Sequence, residues 1–441
     1  MAQADKIEIK IPVTELQLGM HVVRLDRSWL DTDFPVQGFV IRHTADIQAL
    51  QEQCRYVYVE GEEVPEGPAR FGAGVWRRPG ANRRRRQVPQ LKKISVESEL
   101  PSAIEAHRQA RELARNILEG VRVGRAIDVN HARTVVRTCV DSVLRNHEAL
   151  QLLAQIRGKD EYTAEEGMNV CILSALFGRH LGLLEGELEK LALSGLLHDV
   201  GKVRVPDEIL KKPDTLADSE FDIVKYHADH GRTILMGISG LDPIVVDVAY
   251  SHHERMSGNS YPRGLLAHQI PFFAKIISIV DAYVAMTSDR VYANAKSSKE
   301  ALEIVYQARG DQFDESLALD FIQCIGVFPP GALVELNSGE IGIVITAYEL
   351  NRLRPRVLIV RDPDGRPARE RVVDLRRGDE HRSGQPYRIR REMPTGSHGI
   401  HLSEYLDQGL KLRNEDPDPE LAALVKALAG EALEEDDNPS P

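Results

Sequence analysis

The 441-residue sequence contains little cysteine and no long apolar segment. Its four cysteines are widely separated and form neither a CxxC metal pair nor the dense pattern of a disulfide-stabilised domain. No apolar stretch approaches the roughly 18 residues that a membrane helix needs. The N-terminal stretch MAQADKIEIK also lacks the apolar core of a secretory signal. We therefore predict no membrane span and a location in the reducing cytoplasm.

The sequence also lacks a basic surface suited to nucleic acids. Its formal net charge is −11, and the segment from Glu415 onward holds nine acidic residues and one lysine. A cluster of arginines at positions 77–86 lies among prolines and glycines without interleaved aromatic residues. Because nucleic-acid-binding domains combine a basic patch with a recognisable fold, we interpret this cluster as a solvated linker. No nucleic-acid polymer is expected as a partner.

The hydrophobic pattern changes twice along the chain. Alternating strand-like runs flank the helical stretch TADIQALQEQ near the N-terminus. Apolar residues then recur at helical spacing, as at Val136, Val140 and Leu144. From Phe328 the alternation returns, with the turn sequences NSGE and DPDG between apolar runs. We therefore predict a multidomain fold, with an all-α helical bundle in the centre, a small α+β N-terminal domain and a small C-terminal β barrel or meander.

The same patterns set the predicted boundaries. The α+β domain covers 1–62, a linker rich in proline, glycine and arginine covers 63–95, the helical domain covers 96–328, the β domain covers 329–378, and a polar, partly disordered acidic tail covers 379–441. At roughly 100 to 200 residues per domain, this organisation fits the length of the chain.

The helical region concentrates side chains of the types that bind metals. They are His198, Asp199, His227, His252, His253 and Asp281. A lone His-Asp pair at a helix end often only caps the helix. Here each ligand falls within or at the end of a separate apolar helix, at intervals of 29, 25 and 28 residues. Helices of a bundle can direct such residues at one interior point.

A mixed set of imidazoles and carboxylates suits iron, manganese or zinc. Paired metal ions activate water and clamp the oxygens of a phosphoryl group, so this set favours hydrolysis of a phosphoester. Lys202 follows Asp199 by three residues, about one helical turn, and is placed to hold a phosphate.

Four segments carry a specific resemblance: LLHDVGKVRVPDEILKKPDTL, KYHADHG, HHERMSGNSYPRGL and IVDAYVAMTSDRVY. Together they resemble the HD-GYP domain of bacterial phosphodiesterases that hydrolyse cyclic di-GMP, a branch of the HD superfamily. The resemblance runs from about Tyr162 to Val327. The segment VTELQLGMHVVRLDRSWLDTDFPVQGFVI is similar to the uncharacterised domain that precedes HD-GYP in many proteins, and NSGEIGIV is similar to a C-terminal appendage of that architecture.

The resemblance implies a role for each matching residue. Two or three divalent ions, iron or manganese, would be bound by His198, Asp199, His227, His252, His253 and Asp281. Asp199, as the bridge between ions, and Lys202 would be catalytic. Lys202 and Arg290 would contact the substrate phosphate, and Tyr261 would lie in the loop at the substrate mouth. Glu166 stands where the family has a histidine; we predict that it is a metal ligand too, the alternative being an exposed carboxylate at a helix start.

Two functions follow from the resemblance. The first is hydrolysis of cyclic di-GMP to linear diguanylate or GMP, by attack of an activated water on phosphorus, in bacterial second-messenger signalling. The second is a catalytically impaired module that binds cyclic di-GMP or diguanylate cyclases, since Ser257, Ser260, Val284 and Ala293 depart from the family pattern. Hydrolysis of another phosphoester is a third alternative. A homodimer is compatible with each of them.

Overall fold

A computed structural model describes residues 6–26, 39–41, 44–62, 94–156, 162–212, 214–288, 295–348, 351–381, 383–407, 410 and 412. The chain divides into two compact units, residues 1–87 and 88–441. The first unit holds a small sheet with one helix. The second holds the helical region and the C-terminal sheet.

An antiparallel four-stranded sheet and one helix form the N-terminal unit. Its elements are β1 (Lys6–Pro12), β2 (His21–Leu25), β3 (Phe39–Val40), α1 (Thr44–Gln53) and β4 (Tyr56–Glu62), with strand order β1-β4-β2-β3. Val57 and Val59 are fully buried, whereas Tyr58 between them is half-buried, because successive side chains of a strand point to opposite faces. Leu50 of α1 packs into the same core. The predicted small α+β domain is confirmed.

The second unit begins with two long helices and continues with shorter ones. They are α2 (Val96–Arg122), α3 (Val129–Leu153), α4 (Tyr162–Leu181), α5 (Glu185–Leu197), α6 (Asp207–Leu210), α7 (Asp218–Lys225), α8 (His227–Met236), α9 (Pro243–Ser251), α10 (Phe272–Thr287), α11 (Ser298–Gln307) and α12 (Glu315–Ile325). A 3-10 segment, Val200–Arg204, follows α5. The predicted all-α central domain is confirmed.

Helix α4 lies at the centre of the helical region. Every side chain from residue 164 to residue 178 is buried, and the helix packs against α2, α3, α5, α10 and α12. A helix that is buried on all sides requires such surroundings. Helices α5, α8, α9 and α10 form further packed pairs beside it. Their ends therefore lie close together.

The C-terminal sheet is an antiparallel meander with one added strand. Its strands are β5 (Leu333–Leu336), β6 (Ile341–Tyr348), β7 (Asn351–Arg361), β8 (Pro367–Asp374) and β9 (Ile389–Met393), in the order β8-β7-β6-β5-β9. Because β8 and β9 are the two edges of the described sheet, it is open rather than a closed barrel. The core contains Val334, Val344, Val357 and Ile359. A short helix, α13 (Leu402–Asp407), follows.

The sheet continues beyond residue 378, which is the end of the β domain predicted from the sequence. Strand β9 pairs with β5, but its sequence IRREM has polar side chains at three successive positions because it is an edge strand with one exposed side. Most of the predicted linker, residues 63–93, and the end of the acidic tail, residues 413–441, lie outside the described residues.

Three carboxylates connect the sheet to the helices. Glu392 of β9 accepts the backbone N–H groups of Ser298 and Lys299 at 2.9 and 2.8 Å. Glu97 of α2 accepts a hydrogen bond from Arg356 of β7, and Glu148 of α3 accepts the Ala347 N–H. Among the helices described here, none is long and apolar enough to cross a membrane.

Candidate metal centre

Packed helix ends bring the candidate ligands together. His198 and Asp199 follow α5, His227 opens α8, His252 and His253 follow α9, and Asp281 lies within α10. His198, His227 and His252 are each exposed by 1% or less, and Asp199 is 5% exposed. Buried charges and imidazoles of this kind are normally paired or bound to metal.

The ligand atoms form two adjoining groups. One group contains Asp199, His227, His252 and His253, and the other contains His198, His252 and Asp281. Within each group, one nitrogen or oxygen atom per residue lies within 4.8 Å of the others. His252 belongs to both groups. The cluster is therefore able to bind metal.

Asp199 faces both groups with different oxygens. Its Oδ1 lies 3.2 Å from Nε2 of His227, and its Oδ2 lies 3.2 Å from Nε2 of His198. Oδ1 of Asp281 lies 3.4 Å from the same His198 nitrogen. A carboxylate placed in this way has the geometry of a bridge between two sites.

The hydrogen bonds and spacing of the histidine rings suit binding to a cation. In His198, His227 and His252, Nδ1 lies 2.7, 2.6 and 3.0 Å from the carbonyl oxygen three residues earlier. These hydrogen bonds place a proton on Nδ1, so Nε2 is the nitrogen of each ring that a metal ion would use. Nε2 of His227 lies 3.4 Å from Nε2 of His252. Metal bonds of about 2.1 Å separate neighbouring ligand atoms by about 3.0 to 3.4 Å, so a shared cation accounts for this contact.

Two buried polar atoms without hydrogen-bond partners also indicate a cation site. In the part of the chain that the structure describes, Nε2 of His198 and Oδ1 of Asp199 have no partner with hydrogen-bond geometry. Buried polar atoms are nearly always paired. Both atoms point into the cluster, so the residues present fit a bound metal ion.

The charge states in the cluster also suit metal binding. Burial lowers the pKa of His227 to about 4 and, with the neighbouring His252, lowers the pKa of His253 well below the ordinary value. Burial alone would raise the pKa of Asp199, but Lys202 and His198 hold it well below its usual range. Burial alone would lower the pKa of His198, but the Asp199 and Asp281 carboxylates raise it well above the ordinary value. Metal binding would replace that proton.

Lys202 and Glu166 close one side of the cluster. The Lys202 ammonium contacts Asp199 Oδ2 and lies 3.0 Å from Glu166 Oε2. Glu166 lies within α4 and is 3% exposed, so the alternative of an exposed carboxylate at a helix start is wrong. Neither ligand group found among the described residues includes Glu166. Its role as a metal ligand stays a prediction.

The loop that carries Tyr261 lies against the cluster. The Tyr261 ring centroid is 4.7 Å from that of His253. Glu254, which the sequence interpretation did not single out, is 3% exposed and accepts the backbone N–H groups of Arg263 and Leu265 at 2.8 and 2.9 Å. It therefore holds this loop in place. The only available signal was its position directly after the His252–His253 pair.

Two departures from the family pattern, Ser260 and Val284, are accommodated by their surroundings. Ser260 donates its hydroxyl to the His253 carbonyl oxygen. His398 is the one non-glycine residue with positive φ in the described chain, so Ser260 does not adopt the positive φ that favours glycine. Val284 is a core residue of α10, 1% exposed. Arg290 and Ala293 lie outside the described residues.

Buried histidines and aspartates brought together by packed helices define a helical domain with a cluster that could hold metal ions. Comparison with known families gives a domain organisation consistent with this site. Residues 147–317 match the family described as HD domain, 8–132 match a domain of unknown function (DUF3391), and 333–379 match a KOW domain associated with HD domain.

Curated relatives share this organisation to different extents. A cyclic di-GMP phosphodiesterase of Pseudomonas aeruginosa is 35% identical over 379 residues, which cover 84% of this chain and 90% of that protein. A cyclic di-GMP phosphodiesterase of Thermotoga maritima is 32% identical over 40% of this chain and 48% of its own length. A 3'3'-cGAMP-specific phosphodiesterase of Vibrio cholerae is 34% identical over 36% of each chain. This chain belongs to the HD-GYP family of HD-domain proteins.

Proposed function

We propose that the chain is a metal-dependent phosphodiesterase that hydrolyses cyclic di-GMP to linear diguanylate or GMP in bacterial second-messenger signalling. The observation that carries this proposal is the Asp199 carboxylate, whose two oxygens face two adjoining groups of ligand atoms. Paired sites of this kind suit phosphoester hydrolysis. Similarity over 84% of the chain to a protein named cyclic di-GMP phosphodiesterase supports the choice of substrate.

The cluster would hold two or three divalent ions, iron or manganese. His227 and His253 would bind one ion and His198 and Asp281 another, with Asp199 between them, and His252, which belongs to both groups, would complete the set. Imidazole and carboxylate ligands together suit these metals. When bound, the ions supply an activated water nucleophile and positive charge opposite the phosphate.

Lys202 would bind a phosphate oxygen beside the metal centre. Burial opposes charge on this ammonium, but Asp199, Glu166 and Asp281 raise its pKa well above the ordinary lysine value. Lys202 therefore stays positively charged at neutral pH, and it stabilises the negative charge that develops on the phosphate during attack. Arg290 would make a second phosphate contact; this role is inferred only from its position in the sequence motif.

A catalytically impaired module that binds cyclic di-GMP or a diguanylate cyclase is the second candidate. It is favoured by Val284, a buried apolar residue three positions after Asp281, where the family has an aspartate. A homodimer is compatible with either function. The four cysteines are widely separated in the sequence, which favours the reducing cytoplasm as the location.

Turnover by metal-loaded protein separates these candidates. The substrates to compare are cyclic di-GMP, 3'3'-cGAMP, for which one relative is named, and a cyclic mononucleotide. If the protein is a phosphodiesterase, it should convert cyclic di-GMP to linear products, and the Asp199→Asn variant should form none. Binding of cyclic di-GMP without turnover, at full metal occupancy, would favour the regulatory module.

A further inference from the structure

We propose that Phe221 and Tyr261 form an aromatic site on which one purine base of the substrate stacks beside the metal centre. This inference rests on the proposed function, because it supplies the base-binding part of the same site. It assigns Phe221, which lies outside the motifs of the sequence analysis, to substrate binding.

The positions of three rings define the site. The Tyr261 ring lies 4.7 Å from the ring of His253, a candidate metal ligand. The Phe221 ring lies 6.4 Å from the Tyr261 ring, at an interplanar angle of 87°. Phe221 is therefore at most about 11 Å from His253. A nucleotide whose phosphate lies at the metal cluster can place its base within that distance.

Phe221 is exposed on a helix, α7, that has no buried residue. Its residue is 44% exposed, and it lies in the middle of α7. The Lys225 ammonium lies 4.8 Å above one face of the ring and is itself held 2.7 Å from Asp222. The ammonium occupies one side of the ring, so a planar ligand would approach the other face or the ring edge. These are the surfaces that a planar ligand uses.

The perpendicular arrangement suits a flat heterocycle. A base that stacks on one of two perpendicular rings presents its edge to the other, and both geometries are favourable between aromatic systems. Because every base has a π face, stacking of this kind recognises a base without reading its hydrogen-bonding groups. The site would therefore strengthen binding of cyclic di-GMP and of 3'3'-cGAMP by similar factors.

Single exposed apolar residues are common on protein surfaces and usually have no function. Phe272 gives a direct comparison, since it is 45% exposed and opens α10. It precedes Asp281 by nine residues, which is about 13 Å along a helix. Phe272 is therefore a control: an equally exposed phenylalanine on another helix, nine residues before the one ligand that α10 carries.

The test compares Phe221→Leu, Phe221→Tyr and Phe272→Leu in metal-loaded, full-length protein. Leucine keeps an apolar side chain and favours the helix, so the fold should be retained, but it has no π face. We expect Phe221→Leu to raise KM for cyclic di-GMP and for 3'3'-cGAMP about fivefold or more, with kcat and metal content unchanged. Phe221→Tyr and Phe272→Leu should match wild type.

A spectroscopic readout separates stacking from a purely structural effect. A cyclic dinucleotide containing 2-aminopurine should lose fluorescence on binding to wild type and to Phe221→Tyr, because stacking on an aromatic ring quenches it, and should lose much less on Phe221→Leu. If wild type is active and Phe221→Leu matches it in KM and in quenching, the stacking site is overturned and the proposed function stands. If wild type neither binds nor hydrolyses any cyclic dinucleotide at full metal occupancy, both are overturned.

Discussion

Glu166 and Lys202 form an ion pair at the edge of the metal centre, with Glu166 Oε2 3.0 Å from Lys202 Nζ. The pair joins α4 to the 3-10 segment after α5, and the same ammonium contacts Asp199. The side chains are 2% and 18% exposed. Glu166, which stands where the family has a histidine, therefore offsets the positive charge of Lys202.

Glu166→Ala should destabilise the metal-free protein. The variant removes one of the two carboxylates that contact the Lys202 ammonium, while Asp199 keeps its contact, so the loss should be about 1.5 to 3 kcal/mol of unfolding free energy. Urea unfolding followed by circular dichroism measures the change. The control is Asp207→Ala, which breaks a pair with Lys211 whose side chains are 50% and 71% exposed and should leave stability nearly unchanged. Equal effects in the two variants would show that the Glu166 pair contributes nothing.

Asp199→Asn should lower metal content below one equivalent per chain. The substitution removes a negative charge from both groups of ligand atoms, because one oxygen of Asp199 faces each. Elemental analysis of protein purified without chelators gives the stoichiometry. His268→Ala, in an exposed loop of the same domain, should keep the wild-type value. Normal metal loading of Asp199→Asn would remove Asp199 from the site.

Gly201→Ala should disrupt the metal centre by steric overlap. A Cβ at Gly201 would collide with the carbonyl oxygen of His227 and with the backbone nitrogen of Gly231, so the 3-10 segment and α8 would have to separate. We expect a loss of about 1 to 3 kcal/mol or more in unfolding free energy, together with loss of metal.

Gly186→Ala is the matched control for that substitution. A Cβ at Gly186, in the first turn of α5, meets no atom within 4 Å. Alanine there should leave stability unchanged or raise it by up to about 1 kcal/mol. Full metal content in Gly201→Ala would show that the close approach of the two segments is not required.

Glu392→Ala should loosen the contact between the C-terminal sheet and α11. Glu392 accepts the first two N–H groups of this helix, and loss of such a cap costs about 1 kcal/mol. Amide hydrogen exchange at Ser298 and Lys299 should become faster. Glu392→Gln keeps acceptor oxygen for one of the two bonds and should lie between alanine and wild type. Unchanged exchange in the alanine variant would contradict the capping role.

Helix ends made much of the candidate site predictable from sequence. Five of the six ligands follow or open a helix, Asp281 lies within α10, and the wide spacing assigns the ligands to different helices, so convergence of the six side chains was expected. The period-two pattern from Ala332 to Val360 likewise predicted the meander, because its inward positions are apolar.

The remaining features depend on tertiary contacts that local patterns do not encode. Glu166 meets Lys202 across 36 residues because α4 packs against the segment after α5. Phe221 reaches Tyr261 because α7 lies beside the loop, and nothing in the α7 sequence signals that contact. The hydrophobic pattern does not predict strand β9, because an edge strand with an exposed face needs no apolar alternation.

Two-metal hydrolysis of cyclic di-GMP can be tested by a metal titration of chelator-stripped protein, with bound metal and turnover measured on the same samples. Since Asp199 lies between two adjoining groups of ligands, iron or manganese should bind to at least two equivalents per chain. Turnover to linear diguanylate or GMP should appear only as the second equivalent binds. Full activity at one equivalent, or two bound equivalents without any hydrolysis of cyclic di-GMP, would contradict it.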